Sequence, residues 1–276
     1  MENLLHVFRN TPLGRETFMQ SLHFCRTLDI GLDIYIPDAL SFMMYFEDEA
    51  VQVDLDRSYL YEPDTAVEHA RSLAEDAGVT PRFINPKYRT ARDLPDIPTY
   101  FQFMCCPRSI SDLSSKIGLG YIGPKVRRIM QSAPFPVLMT AEVFKAWKSI
   151  MVLFGGSESA CHALAFGVQI AERTGLPLDL FTQMEREEFY YYEQIHDAGL
   201  EMTLSERVRH WHRYETGTFA ENLYHVPHDA MVLAGAYGHG MIRQMLFGSK
   251  LETVQTTLTN TMLVSGPRST ASLTLH

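Results

Sequence analysis

Apolar positions in this chain fall into short continuous runs separated by amphipathic stretches. Leu4-Leu5-His6-Val7-Phe8, Ile150-Met151-Val152-Leu153-Phe154 and Ala230-Met231-Val232-Leu233-Ala234 are typical of the runs. An unbroken apolar run of this length is expected for a strand of a parallel sheet with helices on both faces. Between two such runs, Cys161, Leu164, Val168 and Ala171 recur at helical spacing. Ser157 offers an N-cap, Glu158 suits the positive helix end, and Gly175 offers a stop. In the first half Phe18, Leu22 and Cys25 mark a matching stripe, with Gly31 after it. Both units predict strand, helix, strand.

The match extends to residue level. Leu4 to Thr11 aligns with Ile150 to Ser157 at an offset of 146, and without a gap Gly31-Leu-Asp-Ile-Tyr-Ile36 aligns with Pro177-Leu-Asp-Leu-Phe-Thr182. Toward the ends of the halves the offset is 125: Ile122-Gly-Pro-Lys-Val126 aligns with Phe247-Gly-Ser-Lys-Leu251, and Pro136–Thr140 with Thr261–Ser265. The first half therefore carries 21 additional residues, which are expected mostly within 38–65. A duplicated domain is the expectation, with copies at 1–140 and 148–267 and a connection at Ala141–Lys148. For the second copy the pattern predicts strands at 150–155, 178–183, 210–215, 230–235 and 262–266. Helices are predicted at 158–173, 218–226 and 249–260, with a polar helical stretch reaching about residue 208. Alternating strands and helices make each copy a doubly wound α/β unit.

Composition changes the picture little. At 276 residues, 46% apolar and 21% charged, the chain is ordinary globular protein. Its formal charge of −9 argues against a nucleic-acid-gripping role but leaves small anionic ligands open. No run approaches a membrane span and no basic n-region precedes an apolar block, so neither membrane insertion nor secretion is expected. Four cysteines (Cys25, Cys105, Cys106, Cys161) without Cys-x-x-Cys spacing suit a reducing cytoplasm. Cys105-Cys106 is expected as a pair of small buried strand residues. The pairs His210/His212 and His225/His228 lack supporting Cys or carboxylate spacing, so no metal site is expected.

In open α/β sheets ligands bind beyond the carboxyl ends of the strands, where connections diverge. There the second half carries Gly235-x2-Gly238-x9-Gly248-Ser249, running from a strand end to a helix start. Such glycines let backbone approach a ligand, and a helix start offers unpaired N–H groups for phosphate. Ser249 also begins Ser-x-x-Glu252, a capping box that would satisfy those groups without a ligand.

With this motif, its flanking strand and helix, and the duplication, the chain resembles a universal stress protein, in the tandem form with two such domains. The resemblance implies adenine-nucleotide alpha hydrolase-like domains related by a pseudo-twofold axis, with the final strands at 135–140 and 262–266 pairing across it. It also implies ATP or another adenine nucleotide as ligand, and roles for residues of the second copy. Gly235, Gly238 and His239 would line the phosphate loop, Gly248 and Ser249 would close it, and Lys250 (or Arg243) would screen charge. Ala234 would flank ribose or base, and Thr182 would lie against adenine. The family's strand-one Asp is Gly155 here, and Arg9 in the first copy. In the first copy only Gly123 keeps the motif's register and Pro124 replaces its Ser, so that site is read as empty. The expected role is regulation in stress adaptation, with no dedicated catalysis and an unidentified protein partner. Its assembly would be an intramolecular pseudo-dimer or a homodimer. The alternatives are a partner-binding module that has lost the nucleotide and an ATP-using enzyme of a related fold. The sequence is silent on Mg.

Overall fold

The computed structural model describes residues 2–107, 123–236, 258–270 and 273. The first half of the chain runs β1 (Asn3–Val7), α1 (Pro12–Leu28), β2 (Gly31–Tyr35), β3 (Ser41–Tyr45), β4 (Ala50–Asp54), a 3-10 turn (Arg57–Leu60) and α2 (Pro63–Asp76). It continues through β5 (Pro81–Ile84), β6 (Asp96–Ile97), β7 (Phe103–Pro107), α3 (Pro124–Ser132) and β8 (Val137–Thr140). The second half runs β9 (Ser149–Leu153), α4 (Glu158–Thr174), β10 (Leu178–Gln183), α5 (Glu188–Asp197), α6 (Glu201–Arg207), β11 (Val208–Tyr214), α7 (Phe219–Leu223), β12 (Ala230–Gly235) and β13 (Met262–Ser265).

Ten strands form one sheet in the order β11-β10-β9-β12-β13-β8-β7-β1-β2-β5. Every pairing is parallel except β13 with β8. Within each half the order is third, second, first, fourth, fifth, so the two halves mirror each other about the β13–β8 seam. The final strands meet as expected, with Met262 opposite Met139 and Val264 opposite Val137.

Side chains alternate between two cores, one on each face of the sheet. Leu5, Val7, Met151, Leu153, Phe181 and Ala234 lie on one face. Leu4, Phe8, Val152, Phe154 and Leu233 lie on the other, beneath α1 and α4. The two halves share local bonding. Phe8 N donates to Tyr35 O and Phe154 N to Phe181 O, both at 2.8 Å. Thr11 caps α1 through Gly14 N at 3.1 Å, as Ser157 caps α4 through Ala160 N at 3.3 Å. The aligned aspartates Asp33 and Asp179 are both buried and both take a bidentate pair from an arginine on the next strand, Arg82 or Arg209.

The additional residues of the first half build β3 and β4, which with β6 form a separate three-stranded sheet. Phe42, Met44, Val51, Val53 and Ile97 of that sheet pack onto the same face as Leu5 and Val7. The polar stretch before residue 208 is helical as expected, in two helices, α5 and α6, broken at Gly199 with φ +69°. One expectation needs correction. The predicted helix at 249–260 lies mostly outside the described residues, and its last three positions, 258–260, are not helical. There the Asn260 amide instead donates to Pro227 O and Ala230 O, tying the chain to the start of β12.

His6 in β1 is buried, with Nδ1 2.9 Å from Ser21 Oγ. Burial, reinforced by the charge of Arg9, lowers its pKa from 6.5 to about 3. The unfolded chain takes up this proton near pH 6.5 and the native chain does not until about pH 3. Its contribution is thus fully present above pH 6.5 and is lost as pH falls toward 3, by up to about 1.4 kcal/mol per pH unit. His6→Asn should flatten the dependence of unfolding free energy on pH between pH 6 and 4 by about one proton. Urea unfolding across that range measures it, and an unchanged slope would place the proton uptake elsewhere.

Candidate functional site

The strand order reverses between β9 and β12, so the crevice beyond their carboxyl ends is where a ligand of this fold class binds. After Phe154 the chain turns through Gly155 and Gly156 to Ser157, the N-cap of α4. Gly156 has φ +73°, and a β-carbon there would lie 2.7 Å from the Tyr190 ring. Glycine is therefore required by both backbone and space. Tyr190 in turn donates its hydroxyl to Gly156 O at 3.2 Å. The neighbouring Tyr191 is buried, accepts from Glu185 N at 2.9 Å and donates to Gln183 O. These two tyrosines hold α5 against the tips of β9 and β10.

Alternation along the strands decides what a ligand meets. Following Met151 and Leu153, Gly155 belongs to the face that holds Phe181 and Ala234. Thr182 points to the opposite face. It is fully buried, donates its hydroxyl to Phe154 O at 2.9 Å and accepts from Trp211 Nε1 at 2.8 Å. Both bonds commit that hydroxyl to the fold.

The side chain on the Gly155 face is instead the next one, Gln183. Its amide donates to Tyr214 O at 3.1 Å and accepts from Asn222 Nδ2 at 2.7 Å. Asn222 also reaches Thr216 O at 2.8 Å, so the two amides fix the turn leading to α7. Beside them Tyr214 stacks on His225 with centroids 5.4 Å apart. Sequence reasoning missed Gln183 and Asn222; the only signal was their place in strand alternation and beside the capping box of α7, Thr218 with Glu221.

Ala234 is fully buried on the Gly155 face, and Ala236 beyond it donates to Ser265 O at 2.8 Å. Gly235 between them faces α4, and a β-carbon there would lie 2.2 Å from Ser159 O. Packing of the α4 first turn on β12 thus already demands glycine at this motif position. Gly238, His239, Gly248, Ser249 and Lys250, with Arg243 and Glu252, lie outside the described residues. Of the sequence-derived set, Ala234 lies on the face of Leu153 and Phe181, Thr182 and Gly235 turn to the other, and Gly155 follows the end of β9.

At the mirrored tip of the first half, Arg9 stands where the second half has Gly155, and Asn10 where it has Gly156. Arg9 Nη1 lies 3.7 Å from Asp56 Oδ2, and its guanidinium covers the Tyr59 ring at 5.2 Å. Asn10 donates to Glu62 O and Thr65 Oγ1 and meets His69 Nδ1 at 2.9 Å. Pro124 opens α3 after Gly123. Among the described residues the first tip is occupied by the protein's own side chains, in line with the reading that it holds no nucleotide.

Elsewhere, Cys105 and Cys106 are buried, and burial pushes the Cys105 thiol up to about 12 and the Cys106 thiol well above its ordinary value. His210 and His212 have ring centroids 6.0 Å apart on the edge strand β11. Among the described residues no three His, Cys, Asp or Glu side chains come together as a metal site, and no helix is long and apolar enough to cross a membrane.

No protein-family model matches the sequence, and no curated protein matches it. Solved structures do. A universal stress protein from Archaeoglobus fulgidus DSM 4304 aligns over 96% of both chains with TM-score 0.62 at 15% identity. A universal stress protein from Pseudomonas aeruginosa UCBPP-PA14 aligns over 97% of this chain and 94% of its own, with TM-score 0.55 at 13% identity. A functionally unknown protein from Pseudomonas aeruginosa PAO1 gives 0.54 at 13% identity over 97% and 93%. The chain has the fold of these universal stress proteins, an α/β architecture built on a largely parallel sheet.

Because Ser159 O closes on Gly235, Gly235→Ala should destabilise the protein by about 1–3 kcal/mol whether or not a ligand is present. Chemical denaturation measures this. A variant as stable as the parent would free this glycine for a purely ligand-directed role.

Proposed function

We propose that this chain is a regulatory, nucleotide-responsive protein with one adenine-nucleotide site, in a second domain spanning 148–267. The first domain, 1–140, would serve as its built-in partner. One observation carries this reading: two tips with the same strand order and capping geometry differ in what fills them. Arg9 and Asn10, held by residues 56–69, occupy the first tip. At the same two positions of the second tip Gly155 and Gly156 carry no side chain, and Ala234 of the neighbouring strand is small.

The residues present suit a nucleotide in this reading. Gly155 carries no side chain at the start of the 17-residue α4, while Gly156 is glycine because Tyr190 packs on it. The glycine motif Gly238 to Ser249, with His239 and Lys250, would hold phosphate. Gln183 would border the base or ribose end from the Gly155 face, a place the family resemblance gave to Thr182. ATP or another adenine nucleotide is the ligand class, and the cytoplasm the setting. Turnover is not part of the proposal, and the signal would pass to a protein partner. The absent carboxylate at 155 favours a second reading, a partner-binding module without nucleotide.

Calorimetric titration of the full chain with ATP and AMP, with and without Mg2+, separates the two. The expected result is one site per chain, abolished by Gly238→Val, which removes the backbone freedom of the motif's second glycine without touching the core strands. Two equivalent sites would contradict the asymmetry argument, and no binding by either nucleotide would leave the partner-binding module.

Gly155 lies outside the positive-φ set, so aspartate fits its backbone conformation. Gly155→Asp should therefore restore an acceptor and tighten ATP binding from a few-fold to about 100-fold, as one added hydrogen bond of about 0.5–3 kcal/mol allows. A folded variant with unchanged affinity would mean that the missing acid is not what limits recognition.

A further inference from the structure

We propose that the first half carries a binding site of its own, for a small oxyanion, with Arg9 as the anchoring residue. The site is distinct from the nucleotide site and stands whether or not that site is real. Arg9 follows β1 on the face covered by β3 and β4, where β1 and β7 lie side by side and the strand order reverses. Its side chain is only 13% exposed.

A guanidinium that buried needs its donors satisfied, and here they are not. Nε is buried with no hydrogen-bond partner among the described residues. Both polar contacts fall to Nη1: Ser58 Oγ at 3.5 Å and Asp56 Oδ2 at 3.7 Å, the latter beyond hydrogen-bond reach. Asp56 is the sole carboxylate within 4 Å among the described residues, and its oxygens are partly spent on Ser58 N at 2.7 Å. The Tyr59 ring holds the guanidinium from one face at 5.2 Å.

This combination has a chemical meaning. A planar guanidinium braced on an aromatic face, with an edge left unbonded, matches the two-oxygen geometry of phosphate or carboxylate. Asp56, 20% exposed, marks the side open to solvent. An incoming oxyanion would take the hydrogen bonds that Asp56 is too distant to make, at the cost of repulsion with that carboxylate. The site is thus tuned weak by Asp56, and its ligand class is a small phosphate- or carboxylate-bearing molecule.

Three full-length proteins test this with inorganic phosphate as probe, followed by calorimetry. The parent should bind phosphate at a site, separate from any in the glycine motif of the second half, that Arg9→Met weakens at least about tenfold. Met fills similar space and removes the unpartnered Nε, so the variant should fold. Asp56→Asn keeps the cap on Ser58 N while deleting the competing charge, and should tighten phosphate several-fold. Acetate in place of phosphate ranks the two oxyanions: preference for phosphate assigns a phosphate-bearing ligand, and parity assigns a carboxylate. Phosphate affinity unchanged by Arg9→Met, or no gain in Asp56→Asn, overturns the proposal. The Asp56→Asn arm decides alone should Arg9→Met fail to fold.

Discussion

The antiparallel pairing of β8 with β13 is the constraint on which the rest of the molecule depends. Both strands are buried at every position. Left unpaired, each would be an exposed apolar edge inviting association with another chain. Paired, they turn two five-stranded sheets into one with a continuous core on each face. The seam is reinforced by Gln20 of α1, whose amide donates to Ala141 O at 2.7 Å and accepts from Ala141 N at 2.9 Å. The same oxygen accepts from Thr261 just before β13. Gly266 completes the seam: a β-carbon there would lie 1.9 Å from Met130 O of α3.

With the seam fixed, the outer parts of each half could diverge without disturbing the sheet. Each half keeps its buried aspartate–arginine pair and its capped first helix, because these hold the second strand and the first turn in place. The tips differ because the segment containing β3, β4 and the following 3-10 turn covers the first one. Asp56, Ser58 and Tyr59 arrive at Arg9 from that segment, and Glu62 adopts φ +46° where it joins α2. In the second half the corresponding strand, β10, leads directly to α5, and Tyr190 and Tyr191 clamp the glycine turn from the other face.

Much of this architecture was legible in the residues. Continuous apolar runs gave the parallel strands, and β10 and β12 fall where the pattern placed them. Ser157 and Gly175 cap α4 as their chemistry predicts, the latter with φ +70°. The aligned Asp33 and Asp179 each take a bidentate arginine from the neighbouring strand, a pairing that the alignment itself did not suggest. The helix after residue 249 was overextended at its end, because Asn260 spends its amide on the β12 approach instead of continuing a turn.

The sequence by itself determined the alternation of strands and helices, the parallel sheet and the glycines that mark strand ends. These depend on local periodicity and on residues a few positions apart, which the chain writes openly. Only the tertiary structure decided which face each tip residue serves. Strand side chains alternate with period two, so a single step moves the site-facing role from Thr182 to Gln183 and leaves Thr182 bonded to Trp211. Likewise the need for glycine at 235 comes from Ser159, and the surroundings of Arg9 come from residues 56–59. Such contacts join positions far apart in the chain, and no local pattern encodes which of them will meet.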